Sequence, residues 1–216
     1  MAQTAQLNAI LDGFKDKVPE TVYTTVNESR ANFINSFNTS AAIQVGDTLP
    51  EFSLSDAVGT QRSSSELLSK GPLLVTFYRG EWCPFCNIIL SNFQKILPEI
   101  QAKGVTFVAI SPELPNQTLS TSEKHDLQFP VLSDVGNQFA KKLGILFQQP
   151  DSLRPIFDKL GHNLKERNGD DSFVVPVPAT ILVGKDGKVK NTYINADYTK
   201  RVEPQEVLKW LGELKN

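Results

Sequence analysis

The sequence predicts an α/β fold with a central mixed sheet flanked by helices, in which a helical N-terminal extension (residues 1–45) precedes one domain (residues 46–216). Residues 73–78 and 105–110 form near-continuous apolar runs, which are typical of strands covered on both faces of a sheet. The segment between these runs has the apolar spacing of an amphipathic helix. Strand, helix and strand in so short a stretch indicate a right-handed crossover that joins two parallel strands.

Composition excludes several classes of protein. The 216 residues include 40% hydrophobic and 21% charged residues, which is ordinary for a globular domain. A net charge of −2 does not fit a nucleic-acid binder, and no apolar run reaches the length of a membrane span. The first residues lack the basic and apolar regions of a secretory signal. We therefore expect a cytoplasmic protein that acts without nucleic acid or membrane.

The N-terminal extension is predicted to form two helices over residues 5–43, separated at Pro19. It is interpreted as a packed helical cap, with a partner-binding arm as the alternative. Residues 49–56 resemble a short edge strand, since Pro50 is tolerated at an edge. Ser63 and Glu66 have the spacing of a capping box and predict a helix start.

The remaining elements follow from periodicity and turn residues. A helix is predicted from about residue 84 to residue 103, before the second buried strand. The segments after that strand are predicted as helices at 116–127, 134–143 and 151–160, with a short strand near 129–132. Asp186-Gly187 between two apolar runs predicts a hairpin of residues 179–183 and 189–194, and an amphipathic helix is expected at 203–214.

The two cysteines, Cys83 and Cys86, lie where the first buried strand gives way to a helix. Residues three apart at a helix start share one face at about 5–6 Å, which suits a disulfide. So small a ring adds little stability through chain entropy, which favours a redox role over a structural one. Cys83 precedes the helix, where free backbone N–H groups favour the thiolate, and Cys86 is expected to be more buried. We therefore predict Cys83 as the nucleophile and Cys86 as the resolving thiol.

Two alternatives remain for the cysteine pair. A zinc site needs two more ligands, and His125 and His162 do not form a close second pair in the sequence. A pair of buried, inert cysteines is the other alternative. No metal and no organic cofactor is predicted.

The residues from Trp82 to Cys86 resemble the active-site turn of the thioredoxin superfamily. The segment around Pro178 resembles the one whose cis-proline faces the cysteine pair in those proteins. The resemblance implies a thioredoxin-like fold and places Pro178 at the catalytic site. Trp82 and Thr180, beside these two motifs, are the candidate substrate-binding residues.

The wider pattern resembles the peroxiredoxin-like branch of the alkyl hydroperoxide reductase/thiol-specific antioxidant family. The matching segments are Val45-Gly-Asp-Thr-Leu-Pro-Glu-Phe-Ser-Leu, Phe77-Tyr-Arg-Gly-Glu-Trp-Cys-Pro-Phe-Cys, Ala109-Ile-Ser-Pro-Glu, Phe129-Pro-Val-Leu-Ser-Asp, Asn168-Gly-Asp-Asp-Ser and Asp197-Tyr-Thr-Lys-Arg-Val-Glu-Pro. The resemblance implies reduction of hydroperoxides by a cysteine, with a thioredoxin or glutaredoxin-type reductant that restores the thiols. A homodimer is a further expectation.

The chain also departs from this family pattern. Gly80 stands where typical members have a threonine or serine, Thr76 where they have a proline, and Pro178 where they place an arginine. Those groups align the peroxide. Arg79 is the candidate substitute because it can support a thiolate and a leaving oxyanion, and Arg154 is a remoter one.

Other polar residues near these motifs have weaker assignments. Glu81 is a candidate proton carrier, although a solvated surface glutamate is the alternative. We call the last matching segment, residues 197–204, the late motif. It carries four residues to which no catalytic step is assigned: Asp197, Tyr198, Arg201 and Glu203.

Three functions are compatible with these observations. The leading prediction is a two-cysteine hydroperoxide reductase, in which a Cys83 sulfenic acid condenses with Cys86. The alternative is a thiol–disulfide oxidoreductase that acts on protein or small-molecule disulfides. A third possibility is a non-catalytic, redox-responsive interaction protein that meets its partner through the N-terminal extension.

Overall fold

The computed structural model of the protein describes residues 2–214 and confirms the α/β class. Met1, Lys215 and Asn216, at the ends of the two predicted regions, lie outside the described residues. The helices are α1 (Gln3–Phe14), α2 (Glu20–Ser36), α3 (Ser64–Lys70), α4 (Pro84–Ala102), α5 (Pro115–Lys124), α6 (Gln138–Lys142), α7 (Arg154–Lys159), α8 (Leu164–Asn168) and α9 (Pro204–Glu213). The strands are β1 (Ser53–Asp56), β2 (Gln61–Ser63), β3 (Leu73–Phe77), β4 (Thr106–Ser111), β5 (Val131–Ser133), β6 (Leu146–Gln148), β7 (Val174–Pro176), β8 (Ala179–Val183) and β9 (Val189–Ile194).

The main sheet has the strand order β2-β1-β5-β4-β3-β8-β9 and is mixed, as predicted. Strand β3 pairs parallel with β4 and antiparallel with β8, so it lies well inside the sheet. The β3–α4–β4 crossover and the β8–β9 hairpin are both present. Parallel pairing places the carboxyl end of β3, where the cysteine segment starts, beside the same end of β4.

Successive side chains of β3 point to opposite faces of the sheet and enter two separate cores. Leu73, Val75 and Phe77 contribute to the core that α2, α6 and α7 cover. Leu74 contributes to the other core, beneath α4 and α9, and Tyr78 joins it just after the strand. This arrangement explains the uninterrupted apolar run, because neither face of the strand meets solvent.

The predicted edge strand at residues 49–56 is only partly correct. The strand begins at Ser53, leaves Pro50 outside, and lies between β2 and β5 instead of at the edge. Strand β2 forms the edge and was not predicted. It exists because Asp56 Oδ1 accepts hydrogen bonds from the backbone N–H groups of Val58 and Thr60, which closes a tight hairpin.

Further short elements were also absent from the sequence-based prediction. Strands β6 and β7 form a separate two-stranded sheet, and each has three residues, too few for a periodic signal. Helix α8 begins at the cap Asn163, whose side chain accepts a hydrogen bond from the backbone N–H of Glu166.

The two helices predicted in the N-terminal extension are confirmed, with the break at Pro19. Helix α1 packs on α4, and its Leu7 is 3% exposed within the α4 core. Helix α2 packs on the opposite core through Val26 and Phe33. The extension therefore reaches both faces of the domain near the start of α4.

Glu203 fastens the first turn of α1 to the start of α9. Its carboxylate accepts hydrogen bonds from the backbone N–H groups of Gln3 and Thr4, at 3.2 and 2.7 Å. The Gln3 side chain in turn donates to the Val202 carbonyl oxygen at 2.6 Å. We call these contacts the N-terminal latch. They assign a structural role to one residue of the late motif.

Replacing Glu203 by alanine is expected to loosen α1, because the carboxylate satisfies N–H groups that have no partner within the helix. We expect a loss of about 1–2 kcal/mol of unfolding free energy and faster amide exchange across residues 3–14. Hydrogen-exchange mass spectrometry and thermal unfolding measure both effects. Glu213→Ala is the matched control, because Glu213 is exposed at the C-terminal end of α9, the helix that begins after Glu203. Equal exchange in the two variants would contradict the latch.

Candidate active site

The loop between β3 and α4 carries the predicted site, and Gly80 shapes it. Gly80 has a φ of +141°, in the region that favours glycine. A Cβ at this position would lie 2.3 Å from Trp82 Nε1 and 3.0 Å from a Glu113 carboxylate oxygen. The threonine or serine of the family pattern therefore does not fit here while Trp82 keeps its position.

A buried carboxylate holds this loop in place. Glu113, which is 0% exposed, accepts a hydrogen bond from the backbone N–H of Glu81 at 3.0 Å and one from Arg167 Nε at 2.6 Å. The Glu81 carboxylate itself pairs with Lys124 and Arg167. Burial raises the pKa of Glu81, but its basic neighbours outweigh this and lower it overall. Glu81 is thus held in two ion pairs, and this placement gives no support to its assignment as a proton carrier.

The two sulfurs lie together, as the spacing predicted. Cys83 and Cys86 are reduced, and the Cys86 thiol donates to Cys83 Sγ at 2.8 Å. Cys83 is the N-cap residue of α4 and Cys86 lies in the first turn. Because an S–S bond is about 2.05 Å long, two sulfurs 2.8 Å apart need to move little to form one.

Arg79 meets the predicted nucleophile directly. Its Nη2 donates to Cys83 Sγ at 3.3 Å, and the residue is 5% exposed. The guanidinium lies 3.9 Å from the ring centre of Tyr198 and 4.9 Å from that of Trp82. The two aromatic faces fix the cation against the sulfur. Tyr198 belongs to the late motif, so this stacking gives a second residue of that motif a contact at the site.

The electrostatics separate the two thiols. Burial alone raises the pKa of Cys83, but the Cys86 hydrogen bond and the charges of Arg79 and Arg201 outweigh it, and the pKa lies well below its usual value. The pKa of Cys86 is raised well above its usual value, first by burial and then by the hydrogen bond to Cys83 and its charge. The surroundings of the pair therefore favour the thiolate at Cys83 and the thiol at Cys86.

The source of this stabilisation differs from the prediction. The backbone N–H groups of Cys86 and Asn87 donate to the carbonyl oxygen of Cys83, at 2.9 and 3.2 Å. The Cys83 sulfur makes no capping hydrogen bond. The expectation that free backbone N–H groups bind the sulfur was wrong, because the first helical turn uses them, and the arginines supply the positive charge instead.

Arg201 is the main site residue whose role was not predicted. Its Nη2 lies 3.7 Å from Cys86 Sγ, and its Nη1 donates to the carbonyl oxygens of Tyr198 and Lys200. The only signal in the sequence was the late motif. In the same segment, Asp197 accepts from the N–H and hydroxyl of Thr199 and so orders the turn.

The structure does not place Pro178 and Thr180 as expected. No cis peptide bond occurs among the described residues, so the bond before Pro178 is trans and the expected cis-proline is wrong. The chain runs extended from β7 into β8, with the Val177 N–H donating to the Ile145 carbonyl oxygen, and the intrinsically favoured trans form fits this path. Thr180 is buried in the sheet, and its hydroxyl lies 3.2 Å from that of Thr76. Neither sulfur is among the contacts of Thr180, so this placement does not support substrate binding.

Arg154 does not reach the sulfurs either. Its guanidinium binds Asp151 and Asp171 on the surface, and it lies over the ring of Phe173. Between the two candidate substitutes for the family's arginine, Arg79 is the one that the structure brings to Cys83.

Cys83 is less accessible than predicted. The prediction required a reachable thiolate, with Cys86 the more buried of the two. Both cysteines are 0% exposed and share a core with Leu7 of α1. The sequence could not show this burial, since it depends on which distant segments pack around the cysteine loop.

Within residues 2–214 there is no group of three or more His, Cys, Asp or Glu side chains that could hold a metal ion. No helix in this part of the chain is long and apolar enough to cross a membrane.

Two neighbouring free cysteines at the start of a helix, beside a mixed sheet, are typical of a thiol-based redox site on a thioredoxin-like fold. The family model described as the AhpC/TSA family matches residues 45–192. The chain therefore belongs to the AhpC/TSA family, as a peroxiredoxin-like member of the thioredoxin superfamily. This result confirms the resemblance drawn from the motifs.

Individual relatives agree with this assignment. Peroxiredoxin Bcp of Escherichia coli (strain K12) is 25% identical over 171 residues, which cover 79% of this chain and 97% of the relative. The thiol-disulfide oxidoreductase ResA of Geobacillus thermodenitrificans is 27% identical over 159 residues, 73% of this chain and 74% of the relative. The crystal structure of peroxidoxin BcpB from Mycobacterium tuberculosis superposes with a TM-score of 0.63 at 22% identity and covers 81% of this chain and 99% of its own. That structural likeness confirms the fold.

Proposed function

We propose that this protein reduces hydroperoxides with Cys83 as the nucleophile and Cys86 as the resolving thiol. Membership of the AhpC/TSA family supports thiol-dependent peroxide reduction. The observation that carries the residue assignment is the contact of Arg79 with Cys83 Sγ at 3.3 Å, with the Cys86 thiol 2.8 Å away. This arrangement supports a stabilised thiolate at Cys83 beside a protonated thiol at Cys86.

In the first step the Cys83 thiolate attacks the terminal oxygen of the hydroperoxide. The O–O bond breaks, Cys83 becomes a sulfenic acid, and the other oxygen leaves with the bonding electrons and takes up a proton as water or alcohol. The Arg79 guanidinium, held by Tyr198 and Trp82, stabilises the charge that develops on the leaving oxygen.

The first step prepares Cys86 for the second. Burial keeps the pKa of Cys86 high, and the charge of Cys83 raises it further, whereas Arg201 and Arg79 lower it. Oxidation to a sulfenic acid removes the negative charge from Cys83, so the two arginines act on Cys86 alone. The Cys86 thiolate then attacks Cys83 Sγ, the S–O bond breaks, and hydroxide leaves and is protonated to water. The product is a disulfide between the two cysteines.

A thioredoxin or glutaredoxin-type dithiol then returns the two electrons by thiol–disulfide exchange. This step fits a reducing compartment such as the cytoplasm, which supplies such donors. Cytoplasmic location, the identity of the donor and assembly into a homodimer remain predictions for this chain.

The second candidate function is thiol–disulfide exchange with another protein or a small disulfide. The adjacent cysteines, the similarity to ResA and the glycine at position 80 favour it. Under this alternative the same Cys83 thiolate attacks a sulfur instead of an oxygen.

The test compares peroxide and disulfide as oxidants. With hydrogen peroxide, the wild-type protein is expected to turn over with a thioredoxin system, whereas Cys86→Ser consumes about one equivalent and stops. Peroxide consumption and insulin-disulfide reduction are measured on the same samples. Insulin reduction without peroxide consumption would favour the second candidate, and full turnover by Cys86→Ser would overturn the assigned resolving role.

A further inference from the structure

A cavity of about 160 Å³ lies between the N-terminal extension and the loop that carries Cys83. Ile10, Leu11 and Phe14 of α1 form one wall. Phe147 and Phe157 contribute to the other. An apolar cavity of about 150 Å³ accommodates a benzene-sized molecule. The space therefore suits a small aromatic or short aliphatic body.

Polar atoms without hydrogen-bond partners belong to side chains that line this otherwise apolar space. Gln149 is 1% exposed, and neither its amide oxygen nor its amide nitrogen has a hydrogen-bond partner within the protein. Arg30 Nη1 and Arg79 Nε, on the same cavity lining, are also buried and unpaired. Leaving such groups unsatisfied costs stability, so their grouping at one cavity indicates that a bound molecule supplies the missing partners.

The charge of the lining selects the kind of molecule. Arg30 and Arg79 are cationic, and no acidic side chain lines the cavity within the part of the chain that the structure describes. Arg30 takes part in no ion pair among those residues. A guanidinium in a partly desolvated, apolar setting binds a carboxylate strongly and with defined geometry.

We propose that this cavity binds small organic acids, and that the preferred peroxide substrates are organic hydroperoxides that carry a carboxylate. The second statement rests on the proposed function. The carboxylate pairs with Arg30 and the Gln149 amide, and the apolar body lies among the aromatic side chains. The hydroperoxide end faces Arg79, whose guanidinium also donates to Cys83 Sγ. The reaction is the peroxide reduction described above, with the acid-bearing alcohol as product.

The recognition element lies outside the part of the chain that matches the family. Arg30 and the α1 wall precede residue 45, where the family match begins. The N-terminal extension therefore adds substrate selection to a site that the family domain provides.

Binding is tested separately from catalysis in the full-length Cys83→Ser protein, which lacks the proposed nucleophile. Benzoate is titrated into this protein, and binding is detected by calorimetry or ligand-observed NMR. Benzyl alcohol, a neutral molecule of similar shape, is the ligand control. We expect benzoate to bind to the Cys83→Ser protein, and benzyl alcohol to bind more weakly by about tenfold or more. We expect the additional Arg30→Leu substitution to weaken benzoate binding about tenfold or more. Arg62→Leu, on the distant edge strand β2, is the matched control and should leave benzoate affinity unchanged.

Gln149→Leu provides a second variant in case Arg30→Leu does not fold, and we expect it to weaken benzoate binding as well. The absence of benzoate binding, or equal binding of benzoate and benzyl alcohol, would overturn the proposal.

Selectivity is then measured as the ratio of kcat/KM for the para-carboxylate of cumene hydroperoxide to that for cumene hydroperoxide itself. We expect a ratio of about ten or more in the wild-type protein that falls toward one in Arg30→Leu. A wild-type ratio near one would overturn the substrate assignment. If neither hydroperoxide is reduced, the proposed function fails, and the benzoate titration still decides whether the cavity binds acids.

Discussion

Replacing Cys83 by serine is expected to lower the second-order rate constant for peroxide reduction by about 10³-fold or more. The hydroxyl of serine stays protonated near neutral pH, whereas the Cys83 thiolate is stabilised by Arg79 and by the Cys86 thiol. Stopped-flow mixing with hydrogen peroxide, followed by the fluorescence of the adjacent Trp82, measures the rate of the first step.

Cys86→Ser is the matched control for this experiment, because it removes the neighbouring sulfur and keeps the nucleophile. We expect it to retain a fast first oxidation, since Arg79 still contacts Cys83. If Cys83→Ser consumed peroxide at the wild-type rate while Cys86→Ser did not, the two roles would have to be exchanged.

Replacing Arg79 by leucine is expected to raise the pKa of Cys83 and to move the pH–rate profile to higher pH. The sign follows from the charge, since a cation favours the thiolate, and its loss leaves burial to favour the neutral thiol. Once the pKa of Cys83 exceeds the pH of the assay, each further unit of increase lowers the thiolate fraction about tenfold. Loss of the donor to the leaving oxygen costs a further factor of about 10²–10³.

The ultraviolet absorbance of the thiolate as a function of pH reports the first effect, and the limiting rate at high pH reports the second. Arg154→Leu is the control, because that guanidinium is bound by Asp151 and Asp171 away from the sulfurs. An Arg79→Leu protein whose thiolate titrates at the wild-type pH would show that Arg79 only packs against Cys83.

Features set by local sequence could be predicted. Strand β3 follows from a near-continuous apolar run, helix α4 from apolar periodicity, and the closeness of Cys83 and Cys86 from helical geometry. The three-residue strands β2, β6 and β7 carry no periodic signal and were missed, whereas the equally short β5 was predicted near residues 129–132.

Features set by the path of the chain could not be predicted. Arg201 reaches Cys86 from 115 residues further along, and only the tertiary structure decides that contact. The isomer at Pro178 depends in the same way on how β7 leads into β8. The burial of Cys83 depends likewise on distant segments that pack around the cysteine loop.

The N-terminal latch has a consequence for regeneration of the enzyme. A small oxidant can approach through the cavity as far as Arg79, but a dithiol carried on another protein must touch sulfurs that expose no surface in this arrangement. We therefore expect that reduction of the disulfide by a protein donor requires a rearrangement that exposes these sulfurs, and that weakening the N-terminal latch, which holds α1 beside the same core, speeds this step. On this expectation, oxidants meet the closed arrangement and electron donors meet an opened one.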